Sequence, residues 1–173
     1  NERTFGVEAA LLDLNDPTKV IGRIKTPIFT PEINYELKGM VPNIVFPSGA
    51  LVDENRLSLY YGAADTSCCL ATGDIRELLK ELMIKPKIQL VKTKEVVKLQ
   101  RFIGNPIIAP RPEFSWEAKA TFNTAAICLD KKVHLIYRAM SKDDTSVLGY
   151  ATSKNGYIID ERLPYPVYVP RED

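Results

Sequence analysis

A single histidine and three cysteines are all the imidazole and thiol this 173-residue chain contains. Neither a Cys-x-x-Cys nor a His-x-x-x-His spacing occurs, so the familiar zinc centres are excluded and no metal is expected. Cys68 and Cys69 are adjacent and Cys128 would be left over, which is not the pattern of a disulfide framework. Each lies in or beside an apolar run, and we read all three as small core residues in a reducing compartment. An excess of one charge is also lacking. The 23 basic and 22 acidic residues are well mixed and leave a net charge of +1. Nucleic-acid and membrane-surface partners both demand a basic excess, so neither is expected. No apolar run approaches the roughly 20 residues of a membrane span, and no signal-like stretch opens the sequence, so the expected location is the cytoplasm.

What the chain does have is one phrase used twice. The first copy runs Pro-Ser-Gly-Ala-Leu-Val-Asp-Glu-Asn-Arg-Leu-Ser-Leu-Tyr-Tyr-Gly-Ala-Ala-Asp, from Pro47 to Asp65. The second runs Asn-Thr-Ala-Ala-Ile-Cys-Leu-Asp-Lys-Lys-Val-His-Leu-Ile-Tyr-Arg-Ala-Met, from Asn123 to Met140. Each has small residues, an apolar strand, a polar turn, a second apolar strand and a loop, and each closes on a third strand ending Ala-Thr. A unit of this size cannot bury both faces of its sheet alone, and radial repetition into a propeller is one standard solution.

Strands are predicted over 44–52, 56–63 and 68–72, with Asp53-Glu54-Asn55 as the turn, and again over 121–129, 133–140 and 147–152, with Lys131-Lys132 as the turn. Residues 5–14 and 19–24 read as the outer half of another unit, and Tyr157 to Ile159 as a fourth strand. One helix is predicted, Asp74 to Met83. There Ile75, Leu78, Leu79 and Leu82 form one apolar face, Asp74 and Glu77 have capping-box spacing, and Pro86 forbids continuation. A Lys-rich extended stretch with alternation around 88–91 follows. The expectation is an all-β chain with one short helix and about two and a half blades.

Several phrases resemble glycoside hydrolase family 130, the β-mannoside phosphorylases and related mannosidases. They include Ala-Ala-Leu-Leu-Asp-Leu-Asn-Asp-Pro-Thr-Lys-Val at 9–20, Val-Pro-Asn-Ile-Val-Phe-Pro-Ser-Gly at 41–49 and Leu-Tyr-Tyr-Gly-Ala-Ala-Asp-Thr at 59–66. Others are Asn-Pro-Ile-Ile-Ala-Pro-Arg-Pro at 105–112, Trp-Glu-Ala-Lys-Ala-Thr-Phe-Asn-Thr-Ala-Ala at 116–126 and Leu-Ile-Tyr-Arg-Ala at 135–139. The resemblance implies a five-bladed β-propeller with its active site at the central funnel. It also implies an unusual order: residues 1–83 look like the family's closing blades and 101–173 like its opening blade, joined by a connector at 84–100. The middle of the family domain has no counterpart here. Last and first blades are neighbours in a closed propeller, so the two parts would meet at its seam.

The same resemblance implies a β-linked mannoside as ligand, with inorganic phosphate as co-substrate if the reaction is phosphorolysis and no other cofactor. The family's catalytic acid lies in a Gly-x-Glu-Asp-Pro-Arg phrase, which this sequence does not contain, so no catalytic residue is assigned. The positions that carry over are sugar-holding ones, Asp65, Asn123 and Arg138, with Thr124 beside them where the family has a small residue. Asp and Asn exchange hydrogen bonds with sugar hydroxyls, and Arg offers a rigid fork of donors. Phe46 and Trp116 are aromatic candidates for stacking on a ring, although packing explains them as well. His134 reads as an ordinary hydrogen-bonded histidine, and the pairs Asp143-Asp144 and Asp160-Glu161 as solvated charge. Two function classes remain open: an enzyme, or a carbohydrate-binding or structural module without the acid. Exposed blade edges invite pairing, so a homo-oligomer or association with a missing remainder is expected.

Overall fold

The computed structural model describes residues 3–24, 26–83 and 97–171. A short hairpin comes first, β1 (Ala10–Leu12) against β2 (Val20–Arg23). A four-residue helix, α1 (Asn34–Leu37), leads to the first large sheet. That sheet contains β3 (Val45–Asp53), β4 (Arg56–Ala63), β5 (Ser67–Asp74) and β6 (Gln100–Arg101), neighbours in that order and antiparallel throughout. The helix α2 (Ile75–Met83) stands between β5 and β6. A 3-10 turn at Ser115–Glu117 opens the second sheet, whose strands are β7 (Ala120–Leu129), β8 (Lys132–Met140), β9 (Ser146–Ser153) and β10 (Glu161–Arg162). Both sheets are four-stranded meanders, the build of a propeller blade. Their first strands, β3 and β7, lie against each other as the innermost strands of neighbouring blades do.

Alternation decides which face each strand buries. Along β8, Val133, Leu135, Tyr137 and Ala139 are buried, while His134, Ile136 and Arg138 between them are not. The buried set packs on Tyr60, Cys68, Leu70 and Ile108 to form the core between the sheets. The first sheet turns its other face, Tyr61, Ala63, Cys69 and Ala71, toward Val7, Phe29, Leu78 and Leu82. Each large side chain buried this way contributes about 1.5–3 kcal/mol. Among the described residues the second sheet has no such cover on its far face, where Ile127 is 60% exposed and Ile136 43%.

The predicted hairpins form, with local corrections. Asp130 and Lys131 both take positive φ, the two-residue turn that matches strand twist, and Lys132 already pairs with Leu129. The helix starts at Ile75, with the Asp74 carboxylate accepting from the Arg76 N–H at 2.8 Å and from the Arg76 guanidinium. The fourth strand of the second sheet is Glu161–Arg162 rather than 157–159. The Asn155 side chain captures the N–H groups of Tyr157 (3.1 Å) and Ile158 (2.9 Å), so that stretch curls and cannot pair. In the first sheet the fourth strand is Gln100–Arg101, so β6 straddles the predicted boundary between connector and second part. The alternation predicted around 88–91 lies outside the described residues. Cys68 and Cys69 are buried and unpaired as expected, but Cys128 is exposed, because it lies near the end of β7 where a cavity opens between the sheets.

A polar device recurs in both sheets. Before the first strand of each, a helical turn buries a glutamate completely, Glu36 in α1 and Glu117 in the 3-10 turn. The second strand supplies a tyrosine hydroxyl to that carboxylate, Tyr61 to Glu36 at 2.8 Å and Tyr137 to Glu117 at 2.9 Å. The fourth strand supplies an arginine. Arg101 donates to both Glu36 oxygens at 2.8 Å, and Arg162 donates to Glu117 at 2.6 Å. Arg111 adds a second cation to Glu117. Buried carboxylates survive only with such complete pairing. Each triad therefore fixes the order of helical turn, second strand and fourth strand within its own sheet.

Candidate functional site

The β4–β5 loop and the start of β7 meet at one end of the two sheets. Ala64 and Asp65 sit in the left-handed region, with φ 47° and 49°. That conformation is tolerated by Asp and costs an alanine roughly 1 kcal/mol. The surroundings hold the loop there. Ala64 donates to the Ile44 carbonyl at 3.1 Å and accepts from Val41 at 3.1 Å, and the Thr66 carbonyl accepts from the Thr121 N–H of β7 at 3.0 Å. Gly39 lets the chain approach so closely that a Cβ there would meet the Ala64 oxygen at 2.5 Å. The loop of the first sheet is thus tied to the first strand of the second.

Beside it, β7 bulges. Phe122 pairs with Arg138 and Ala125 with Ile136, so Asn123 and Thr124 are the irregular residues of the ladder. Asn123 takes φ 55° and is exposed. Thr124 turns inward and is wholly buried. Thr124, expected beside the sugar-holding positions, is thus buried next to them: a bulge that pushes one residue out draws its neighbour in. The equivalent inner strand β3 shifts register at the same place, between Pro47 and Gly49. Phe46 pairs with Gly62 and is 48% exposed.

Arg138 lies over the Phe122 ring, 4.9 Å from its centroid, and its Nε and Nη2 both donate to the Ser146 hydroxyl at 3.0 and 2.9 Å. A guanidinium has five N–H donors, so one hydroxyl leaves much of the fork for another acceptor. Arg138 and Asn123 line a cavity of about 420 Å³ together with Ala125, Ile136, Ser146 and Leu148. Asp65 is half-buried, and burial pushes its carboxyl above the ordinary value while the charge of Arg138 acts in the opposite sense. Phe122, which carries Arg138 over its ring, and the Asp65 carboxylate both border Gly62, so the two charges are contributed by different sheets to one neighbourhood. Gly62 completes the picture: a Cβ built there would lie 3.8 Å from the Asn123 nitrogen and 3.9 Å from an Asp65 carboxylate oxygen. Its missing side chain keeps the space between Asp65 and Asn123 open.

Asp65, Asn123 and Arg138 are therefore brought together, Phe46 sits at an exposed position on the neighbouring inner strand, and Thr124 is withdrawn. The reading from sequence missed Gly62, Phe122 and Ser146. A signal for Gly62 existed, because aligning the repeats puts it after Tyr61 where Arg138 follows Tyr137. Trp116 is half-buried and donates from its indole nitrogen to the Pro164 carbonyl at 3.1 Å. His134 shares a 2.6 Å hydrogen bond with the Tyr150 hydroxyl, as an ordinary histidine would. Among the described residues no group of three or more His, Cys, Asp and Glu side chains is arranged to hold a metal ion.

Residues 1–83 match the sequence profile described as β-1,4-mannooligosaccharide phosphorylase. A β-1,2-mannobiose phosphorylase of Listeria innocua is 44% identical over 86 residues, 50% of this chain and 24% of that protein. A β-1,2-mannobiose phosphorylase of Thermoanaerobacter is 50% identical over 66 residues, 38% of this chain and 22% of that protein. A β-1,4-mannooligosaccharide phosphorylase of Ruminococcus albus is 37% identical over 81 residues, 46% of this chain and 24% of that protein. The matched region thus spans about a quarter of these relatives. Among solved structures, a thermostable family-43 glycoside hydrolase aligns with a TM-score of 0.47 at 15% identity, covering 75% of this chain and 36% of that one.

Proposed function

We propose that this chain, whose residues 1–83 belong to glycoside hydrolase family 130, binds β-linked mannosides through Asp65, Asn123 and Arg138 as part of an enzyme that cleaves them. The observation that carries the reading is the gathering of Asp65 and Asn123 around Gly62, with Arg138 lying over the Phe122 ring beside them. A half-buried carboxylate, an exposed amide and a guanidinium with spare donors match the alternating donors and acceptors of a sugar's hydroxyls. The related mannoside phosphorylases support a mannose-containing substrate and inorganic phosphate as the attacking co-substrate.

Cleavage also needs an acid to protonate the leaving oxygen. The Gly-x-Glu-Asp-Pro-Arg phrase is absent from the sequence, so the acid comes from blades outside this chain's two sheets. Residues 1–83 act as closing blades and 101–173 as an opening blade, with the site at their seam. The uncovered far face of the second sheet, with Ile127, Ile136 and Leu148 exposed, is where a further blade or a second copy completes the ring. Buried, unpaired Cys68 and Cys69 fit a reducing compartment such as the cytoplasm.

Calorimetric titration of the chain with β-1,2- and β-1,4-mannobiose tests the reading. Saturable binding that falls about ten- to hundredfold in Arg138→Ala is expected, the loss of charge-assisted bonds worth roughly 1.5–3 kcal/mol. Equal affinity in wild type, Arg138→Ala and Asp65→Asn would remove the site.

A further inference from the structure

A second cavity lies at the opposite end of the sheets, between the β3–β4 turn, the β7–β8 turn and the loop after β9. It holds about 500 Å³, ample for a compound of monosaccharide size. Its charged lining is unbalanced. Arg56, Lys131 and Lys154 face Asp53 alone, whereas the whole chain is nearly neutral at +1. The three cations come from three different segments, gathered only because the two sheets pack together.

The remaining lining suits a small polar ligand with a carbon skeleton. The Arg56 guanidinium carbon lies over the Tyr157 ring, 5.9 Å from its centroid, so a cation and an aromatic side chain line the cleft together. Ser58 and Asn155 supply hydrogen-bonding groups. The floor is fixed: the Tyr60 hydroxyl donates to the Gly156 carbonyl at 2.6 Å, and a Cβ at Gly156 would meet that hydroxyl at 2.9 Å. Arg56 is held only loosely by Asp53, at 3.8 Å between largely exposed groups, a pair that an incoming dianion can displace. The described lining residues come from the two sheets and the loops between their strands.

We propose that this cleft binds a phosphate monoester, its phosphate held by Arg56, Lys131 and Lys154 and its carbon skeleton against Tyr157. Guanidinium- and ammonium-bearing residues lining one cavity are the usual chemistry of phosphate recognition. A phosphate dianion gains more from three cations than an uncharged sugar does. The site is separate from the Asp65–Arg138 neighbourhood and does not depend on what that neighbourhood does.

The test is calorimetric titration at low salt with mannose 1-phosphate, glucose 6-phosphate, inorganic phosphate and mannose, run on Arg138→Ala so that the other site is disabled. Saturable binding of a phosphorylated probe is expected. It should weaken at least tenfold in Arg56→Ala/Lys154→Ala, tighten in Asp53→Asn and weaken with added salt. Tighter binding of the sugar phosphates than of inorganic phosphate identifies the ligand as an ester. Equal binding identifies free phosphate and overturns the role given to Tyr157. Unchanged affinity in a folded Arg56→Ala/Lys154→Ala variant, or mannose binding as tightly as its phosphate, overturns the site.

Discussion

Tyr61 and Tyr137 occupy the same station in the two sheets, each donating its hydroxyl to a wholly buried glutamate, at 2.8 Å to Glu36 and 2.9 Å to Glu117. Each tyrosine is the residue that the repeated phrase aligns, Tyr-Gly-Ala in one copy and Tyr-Arg-Ala in the other. Burial and the neighbouring carboxylate both raise the Tyr61 hydroxyl far above its ordinary range, so it remains a donor at every physiological pH. The repetition is therefore one of internal wiring as well as of strand order.

Removing one carboxylate should cost more than removing one hydroxyl. Glu117→Ala leaves Arg111 and Arg162 facing each other with no counter-charge, and breaking a buried pair this way typically costs roughly 3–5 kcal/mol. Tyr137→Phe leaves those ion pairs intact and should cost about 1.5–3 kcal/mol, the range for a bond to a charged group. Urea unfolding midpoints of the two variants check the order. A Tyr137→Phe variant less stable than Glu117→Ala would show that the hydroxyl, not the charge, organises the cluster.

The Glu36 triad should make stability depend on acid. Burial alone would raise this carboxyl, but Arg101, the N–H groups of Glu32 and Ile33 and the Tyr61 hydroxyl outweigh it and hold the carboxyl below its ordinary value. A carboxylate lowered in the fold stabilises it above the unfolded value of about 4.3. That contribution disappears as pH falls through the folded value. Glu36→Gln should thus be less stable than the parent near pH 7, with the gap closing below about pH 4. Midpoints measured at both pH values decide it, and a gap unchanged in acid would contradict the charged state assigned to Glu36.

Much of the fold was legible because strand alternation is a local signal. In β8, Val133, Leu135 and Tyr137 announce a buried face whatever lies across from it. The triads were not legible. Glu36 sits in a polar stretch that reads as a solvated connection, and its partners Tyr61 and Arg101 are distant in sequence. The fourth strands were missed for a similar reason: with two residues each they carry no period, and one side chain, Asn155, decides where the second begins. In the candidate site, Asp65, Asn123 and Arg138 were legible through family phrases. Thr124 was not, since its burial follows from a bulge that no single residue announces.

Gly62 supplies a sharper probe of the site than any charged residue. An added Cβ lies at 3.6 Å or more from its neighbours, ordinary contact distance, so Gly62→Ala should fold and bind mannobiose almost normally. Gly62→Leu carries further carbons into the space between Asp65 and Asn123 and should abolish binding by occlusion. Titration of both variants, alongside circular dichroism to confirm folding, makes the comparison. Full affinity in a folded Gly62→Leu protein would place the sugar elsewhere.

The far face of the second sheet predicts how the chain behaves in solution. Ile127 is 60% exposed, Leu129 56%, Ile136 43% and Leu148 37%. The opposite face of the same sheet is buried against the first sheet through Val133, Leu135 and Tyr137. A β-sheet with one face packed and an apolar second face left to water is a site of association. The β1–β2 hairpin at the other end of the chain also exposes apolar residues, Val20 at 60% and Ile21 at 61%. Two such ends on one chain favour head-to-tail association, which closes into a ring if the rotation between copies allows. Light scattering at increasing concentration should therefore show a mass above that of one chain, and Ile136→Glu should return it to the monomer by placing a charge in the contact. A monomer at all concentrations, with Ile136→Glu no different, would mean that this face is covered by a different polypeptide.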